Sequence, residues 1–239
     1  TGATDRILPF PGWTLPGVTG AGGLQALIKA GLPVEGERIV IAGSGPLLLA
    51  AASTARAAGA KVVRIAEQAS FAAVAGFAAS LLRWPGKAMQ AVTLADPQYR
   101  TSSRIVSAHG GTQVESVRLL LGEREVEIAC DRIACGFGLT PNMQLGRMLG
   151  CDLTPAEAGA QALAVDALQA TSLPGVYAAG ECTGFGGSER ALAQGTIAGH
   201  AAVGNERAAK QNEGERARWD AFAAQLHRSF ALSPDIRRM

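Results

Sequence analysis

The stretch ERIVIAGSGPLLLAAASTARAAGAKVVRIAE, residues 37–67, decides the fold. It opens on an apolar, β-branched run that stops at Gly43-Ser44-Gly45, passes into an Ala- and Leu-rich helical segment, and closes on a second strand-like run, KVVRIAE. Strand, glycine turn, helix and strand make a parallel βαβ unit. Gly43 suits the tight turn, and Gly45 lets a pyrophosphate approach the backbone. Pro46 falls in the first helical turn, where its missing N–H is not needed. Ser44, Pro46 and Leu47 thus flank a helix N-terminus whose orphan N–H groups and dipole favour phosphate. The pattern is G-x-G-x-x-L, with Leu48 where a smaller residue would let helix and strand approach most closely. Glu67 ends the second strand, where an acidic residue accepts hydrogen bonds from an adenine ribose and repels a 2′-phosphate, so NAD is expected over NADP. The competing reading is a βαβ unit whose glycines serve packing alone.

Upstream, residues 1–36 are rich in Pro and Gly, and only AGGLQALIKAG is expected to form a short helix. Downstream, SFAAVAGFAASLLRW reads as a helix stopped by Pro85 and Gly86, RIVSA as a third parallel strand, and QVESVRLLL with REVEIACDRIACGFG as hairpin strands. A polar connector follows GLTPN. Then come a buried strand, Val176 to Ala179, a helix from about Ser188 to Val203, and a charged helix over residues 205–232.

The segment VYAAGECTGFGG, residues 176–187, forms a second glycine motif. Its strand would set Gly180 and Glu181 at the carboxyl edge of a sheet, where α/β proteins bind ligands. Glu181 could accept hydrogen bonds from a polyol, while Gly186 and Gly187 bring bare backbone to the next helix N-terminus. Ala191, Gly195 and Gly199 give that helix a smooth face for close approach.

Composition excludes several classes. The formal charge is only +2 and the basic residues are scattered, which leaves no electrostatic footprint for nucleic acid. No apolar run reaches membrane-spanning length. The four cysteines, Cys130, Cys135, Cys151 and Cys182, show neither zinc-ligand nor dithiol spacing, and read as reduced buried thiols of a cytoplasmic protein. His109, His200 and His227 are scattered, no Ser/His/Asp grouping or metal cluster is legible, and no catalytic residue is assigned. Trp219, Phe222, Leu226 and Phe230 fall near one helical face that suits either core packing or a partner surface.

Taken in order, TGA at the start, the βαβ unit, and TSLPGVYAAGE resemble the landmarks of the two-dinucleotide-binding-domain flavoproteins, the pyridine nucleotide-disulfide oxidoreductase superfamily. The resemblance implies that Thr1, Gly2 and Ala3 close the first part of an FAD domain, that Gly43 and Gly45 belong to an inserted NAD(P)-type domain, and that Gly180 and Glu181 bind the flavin ribityl chain. Glu181 stands where the superfamily usually has Asp. DRILPFPGWTLPGV, IAGSGPLLLA, CGFGLTPN and GVYAAGECTGFGGSERALAQG further resemble the FAD-dependent subunit of opine oxidases, hydrogen cyanide synthase and dye-linked proline or hydroxyproline dehydrogenases.

The expected fold is therefore α/β, with two Rossmann-like units in a three-layer FAD/NAD(P)-binding fold. The implied domains are a partial FAD domain at 1–35 and 138–205, an inserted nucleotide domain at 36–137, and a helical tail at 206–239. The family's N-terminal FAD-pyrophosphate motif and its cysteine-rich iron–sulfur segment are missing. The chain is expected to be truncated at both ends and to hold flavin weakly or not at all. The resemblance implies FAD, with NAD or another adenine nucleotide and no metal. Its expected partners are an iron–sulfur carrier and an amino-acid-oxidase-like subunit, in an assembly that relays electrons from amine or imino-acid oxidation. The alternative is a nucleotide-binding regulatory or scaffold subunit without hydride transfer.

Overall fold

The computed structural model describes residues 2–156, 159–233 and 236. The chain divides into two compact units, one of residues 5–138 with 229–239, the other of residues 1–4 with 139–228.

A short first strand, β1 (Ala3–Asp5), precedes the elements of the larger unit: β2 (Val18–Gly20), α1 (Ala21–Lys29), β3 (Arg38–Gly43), α2 (Leu47–Ala57), β4 (Lys61–Glu67), α3 (Phe71–Ser80), α4 (Pro85–Thr93), β5 (Tyr99–Arg100), β6 (Ser103–His109), β7 (Ser116–Leu121), β8 (Arg124–Ala129) and β9 (Arg132–Gly136). Five strands form one parallel sheet in the order β2-β9-β3-β4-β5. Alternate side chains of β3 point to opposite faces, so Ile39 and Ile41 pack under α1 and α2 against Leu24, Leu48 and Ala51, while Val40 and Ala42 join a second cluster. That second cluster is closed by Ile105, Val117 and Leu119 of the antiparallel sheet β6-β7-β8. Helices, parallel sheet and antiparallel sheet are the three layers the sequence predicts. Burial on both faces explains why β3 reads as an unbroken apolar run.

Two strand expectations in the larger unit need correction. Arg132–Gly136, expected in a hairpin, lies parallel between β2 and β3, since four of its five residues are buried and only a sheet with both faces covered accommodates them. RIVSA, expected as the third parallel strand, lies in β6 of the antiparallel layer, where its neighbour β7 follows after a short turn. Pro85 does not end helical structure but starts α4 at a position that needs no N–H donor. Residues 5–35 belong to this unit, because β2 pairs with β9, α1 packs on α2, and the Asp5 carboxylate accepts from the Gly23 N–H at 2.9 Å near the start of α1.

The smaller unit contains β10 (Leu139–Pro141), which pairs with β1, then α5 (Gln144–Leu149), the hairpin strands β11 (Leu153–Pro155) and β12 (Gln161–Leu163), and helices α6 (Ser188–Ala202), α7 (Glu206–Gln211) and α8 (Glu213–Ser229). The single charged helix expected over 205–232 is broken at Asn212. Val176–Ala179, expected as a buried strand, makes only one bridge, Ala170 to Tyr177, and otherwise runs as irregular chain among the described residues. Arg190 of α6 donates to Asp220 of α8 at 2.7 Å and to the Gly184 carbonyl at 2.6 Å, tying both to the glycine-rich segment. Trp219 and Phe222 are buried within this unit with their rings edge to face, while Phe230 lies past the end of α8 and belongs to the larger unit.

Candidate functional site

The glycine turn of the larger unit sits between β3 and α2 at the carboxyl end of the sheet. Gly43 has φ near +150°, and a Cβ there would lie 1.9 Å from the Gly136 carbonyl oxygen, so its smallness is demanded by the neighbouring strand. Gly45, at φ +99°, requires glycine on conformational grounds. Leu48 is fully buried and its Cδ2 comes within 3.1 Å of where a Gly136 side chain would begin, which fills the space left by the missing third small residue.

Glu67 is fully buried and turned inward. Its carboxylate accepts from Gly45 N–H at 2.7 Å, Ala69 N–H at 2.8 Å and the Tyr99 hydroxyl at 3.2 Å. Burial raises its pKa, and the hydrogen bonds oppose that rise. Burial beside this carboxylate also raises the Tyr99 pKa. The Ser44 N–H donates to the Gly136 carbonyl at 2.7 Å. Two amides that a pyrophosphate would need are thus engaged within the protein, Pro46 has none, and Glu67 does not present a free acceptor. Gln68 and the Ser44 hydroxyl are also in use: both donate to backbone carbonyls of residues 230 and 231. A dinucleotide does not fit this cleft as it stands.

The smaller unit holds the other predicted residues. Gly180 (φ +84°) and Glu181 open a 3₁₀ turn, Glu181–Thr183, and Gln194 of α6, itself buried, fixes it by accepting from Gly180 N–H at 2.8 Å and Thr183 Oγ1 at 3.2 Å. The Glu181 carboxylate is half-buried and makes no hydrogen bond or ion pair among the described residues, and burial raises its pKa. Gly187 is exposed with φ +89° just before α6, whereas Gly186 is buried, its α-carbon against Arg190 and Ala223. Gly2 precedes β1, the strand that pairs with β10, and Ala3 opens it: the Asn142 N–H donates to the Gly2 carbonyl at 3.0 Å, and Thr4 donates to Asn142 Oδ1 at 2.7 Å. Thr1 lies outside the described residues. By its chemistry, a half-buried carboxylate beside glycine backbone fits the hydroxyls of a polyol such as a flavin ribityl chain.

The family described as pyridine nucleotide-disulphide oxidoreductase matches residues 1–203. The chain belongs to this family. It is 32% identical over 211 residues to hydrogen cyanide synthase subunit HcnB of Pseudomonas protegens, covering 82% of this chain and 45% of that protein. It is 32% identical over 210 residues to an opine oxidase subunit of Rhizobium meliloti, covering 83% and 46%. The chain therefore spans about half the length of these relatives. Among solved structures, thioredoxin reductase of T. acidophilum shares the fold with a TM-score of 0.56 at 24% identity, over 91% of this chain and 64% of that one.

The family name notwithstanding, all four cysteines are free and buried, and burial pushes the Cys130 and Cys135 thiols up to about 12. Among the described residues no group of three or more His, Cys, Asp or Glu could hold a metal, and no helix is long and apolar enough to cross a membrane.

Two residues that fix these turns, Tyr99 and Gln194, escaped the sequence reading. Both are joined to their partners only by the tertiary fold, and Gln68 draws notice only as a neighbour of Glu67. Gln194 did leave a signal, as the polar member of the small and apolar face Ala193, Ile197 and Ala201 of α6.

Proposed function

We propose that this chain is a portion of an FAD-dependent oxidoreductase subunit that relays electrons from amine or imino-acid oxidation carried out by an amino-acid-oxidase-like partner, with an iron–sulfur carrier in the same assembly. Its similarity to subunits of hydrogen cyanide synthase and opine oxidase supports the substrate class and the need for partners. Reduced thiols agree with a cytoplasmic setting. The observation that carries the reading is the Glu181 carboxylate, which has no hydrogen-bond or ion-pair partner among the described residues, on a turn locked by Gln194. When bound, the flavin supplies the redox chemistry. Glu181 would accept from ribityl hydroxyls, Gly180, Gly187 and the chain around Gly2 and Ala3 would supply backbone, and Gln194 would keep the turn from reorienting.

Titration of the purified chain with FAD, followed by flavin fluorescence, tests this. Weak saturable binding that falls about tenfold or more in Glu181→Ala, as loss of a charge-assisted hydrogen bond requires, is the expected result. Binding indifferent to Glu181 would overturn the ribityl assignment.

A second reading is favoured by the inward Glu67: a protein whose inserted domain is regulatory or structural and transfers no hydride. It predicts adenine-nucleotide binding without flavin reduction by NADH.

A further inference from the structure

The larger unit is discontinuous. After the chain leaves it at Gly138 it returns at Ser229, and the returning segment runs over the glycine turn. The Phe230 carbonyl accepts from the Ser44 hydroxyl at 2.9 Å. The Ala231 carbonyl accepts from Gln68 Nε2 at 3.0 Å, and the same amide nitrogen donates to Ser44 Oγ at 3.0 Å. Gln68 Oε1 in turn accepts from the Ser233 N–H at 3.2 Å. The Phe230 ring stands edge-on to Phe77 of α3 with centroids 5.1 Å apart, and its Cβ and Cγ lie 3.9 Å from where a side chain on Gly45 would start. Leu232 and Ile236 are buried in the core cluster on the far side of the parallel sheet from α1 and α2.

These partners are the ones a Rossmann unit offers to a nucleotide: the turn that meets a pyrophosphate and the end of the second strand that meets the adenine ribose. The segment presents to them what a nucleotide presents, an aromatic ring followed by a row of acceptor oxygens. We propose that Phe230–Ser233 is a strap that occupies the nucleotide cleft and competes with an adenine nucleotide for it. The proposal rests on the reading of Gly43–Gly45 as a nucleotide turn. It accounts for the part of the misfit that lies in side chains, because the Ser44 hydroxyl and the Gln68 amide are spent on the strap, while the Gly45 and Ser44 N–H groups are held within the turn by Glu67 and Gly136. Binding requires strap release, so apparent affinity is reduced by the fraction of molecules with an open cleft.

The test uses the full chain and two variants, Phe230→Ala and Phe230→Ala with Ser233→Pro, checked for native circular dichroism, with NADH and ADP as separate calorimetric titrants. Strap release is expected to tighten binding of at least one nucleotide by about tenfold, corresponding to a cleft open in roughly one molecule in ten. In the unmodified chain, saturating nucleotide should speed amide exchange at residues 231–233, a readout that holds even if a variant fails to fold. Equal affinity in all three chains with unchanged exchange would refute the strap while leaving the nucleotide turn standing. Absence of binding by either nucleotide to any chain would overturn the nucleotide reading, and the strap's gating role with it.

Discussion

Glu67 offers the most direct test of how the glycine turn is built. Replacing it by Ala strands two buried backbone N–H groups and the Tyr99 hydroxyl, each a donor now satisfied between 2.7 and 3.2 Å. An orphaned buried donor costs roughly 1–3 kcal/mol, and relief of the carboxylate's own desolvation returns part of the total, leaving a net loss of about 2–4 kcal/mol. Two compact units make a single melting temperature ambiguous. Amide hydrogen exchange in β3 and β4 reads the larger unit alone. There the loss should appear as exchange faster by roughly 30- to 700-fold. Glu67→Gln should fall between, since it keeps one acceptor oxygen but turns an amide nitrogen toward a backbone donor. Exchange within threefold of the parent, together with weakened nucleotide binding, would mean that Glu67 faces a ribose after all.

Further predictions concern the same frame. Gly43→Ala puts a methyl carbon 1.9 Å from a backbone oxygen of the adjacent strand, so soluble, natively folded protein should not be recovered; a variant with parent-like circular dichroism would contradict the packing. Gln194→Ala removes the acceptor of both the Gly180 N–H and the Thr183 hydroxyl and should weaken FAD binding about tenfold or more, with little change in helix content by circular dichroism. Burial raises the pKa of Glu67 and Glu181, so the folded chain binds more protons than the unfolded one between the ordinary carboxylate value and the raised ones. Stability should therefore fall as pH climbs through that window, and Glu67→Gln should flatten part of the slope in denaturant titrations. Ellman's reagent should find no rapidly reacting thiol in the native chain and all four after unfolding; a fast native thiol would contradict their burial.

Local chemistry was legible in the sequence where local chemistry decides. The β3-turn-α2-β4 unit follows from periodicity and two glycines, and α1 from a short amphipathic run. Arg132–Gly136 was misread because a short apolar segment looks alike in a hairpin and in a buried parallel strand; its neighbours are set by pairing with β2 and β3, far away in sequence. Glu67 was placed at the right point on the strand, but the direction of its side chain depends on Tyr99 and on how the turn amides point, neither visible in a motif. Gly43 shows the same ambiguity: a glycine that a pyrophosphate would require is also the one that β9 requires.

The return of the chain at Ser229 has a consequence for how the protein is made. On the ribosome, residues 5–138 emerge first, yet two members of their core, Leu232 and Ile236, follow about 100 residues later, a lag of roughly 5–20 s at ordinary elongation rates. For that interval the nascent unit exposes an apolar gap and a glycine turn with no strap across it. A nucleotide or chaperone present during synthesis would meet a form of this unit that the finished chain keeps closed.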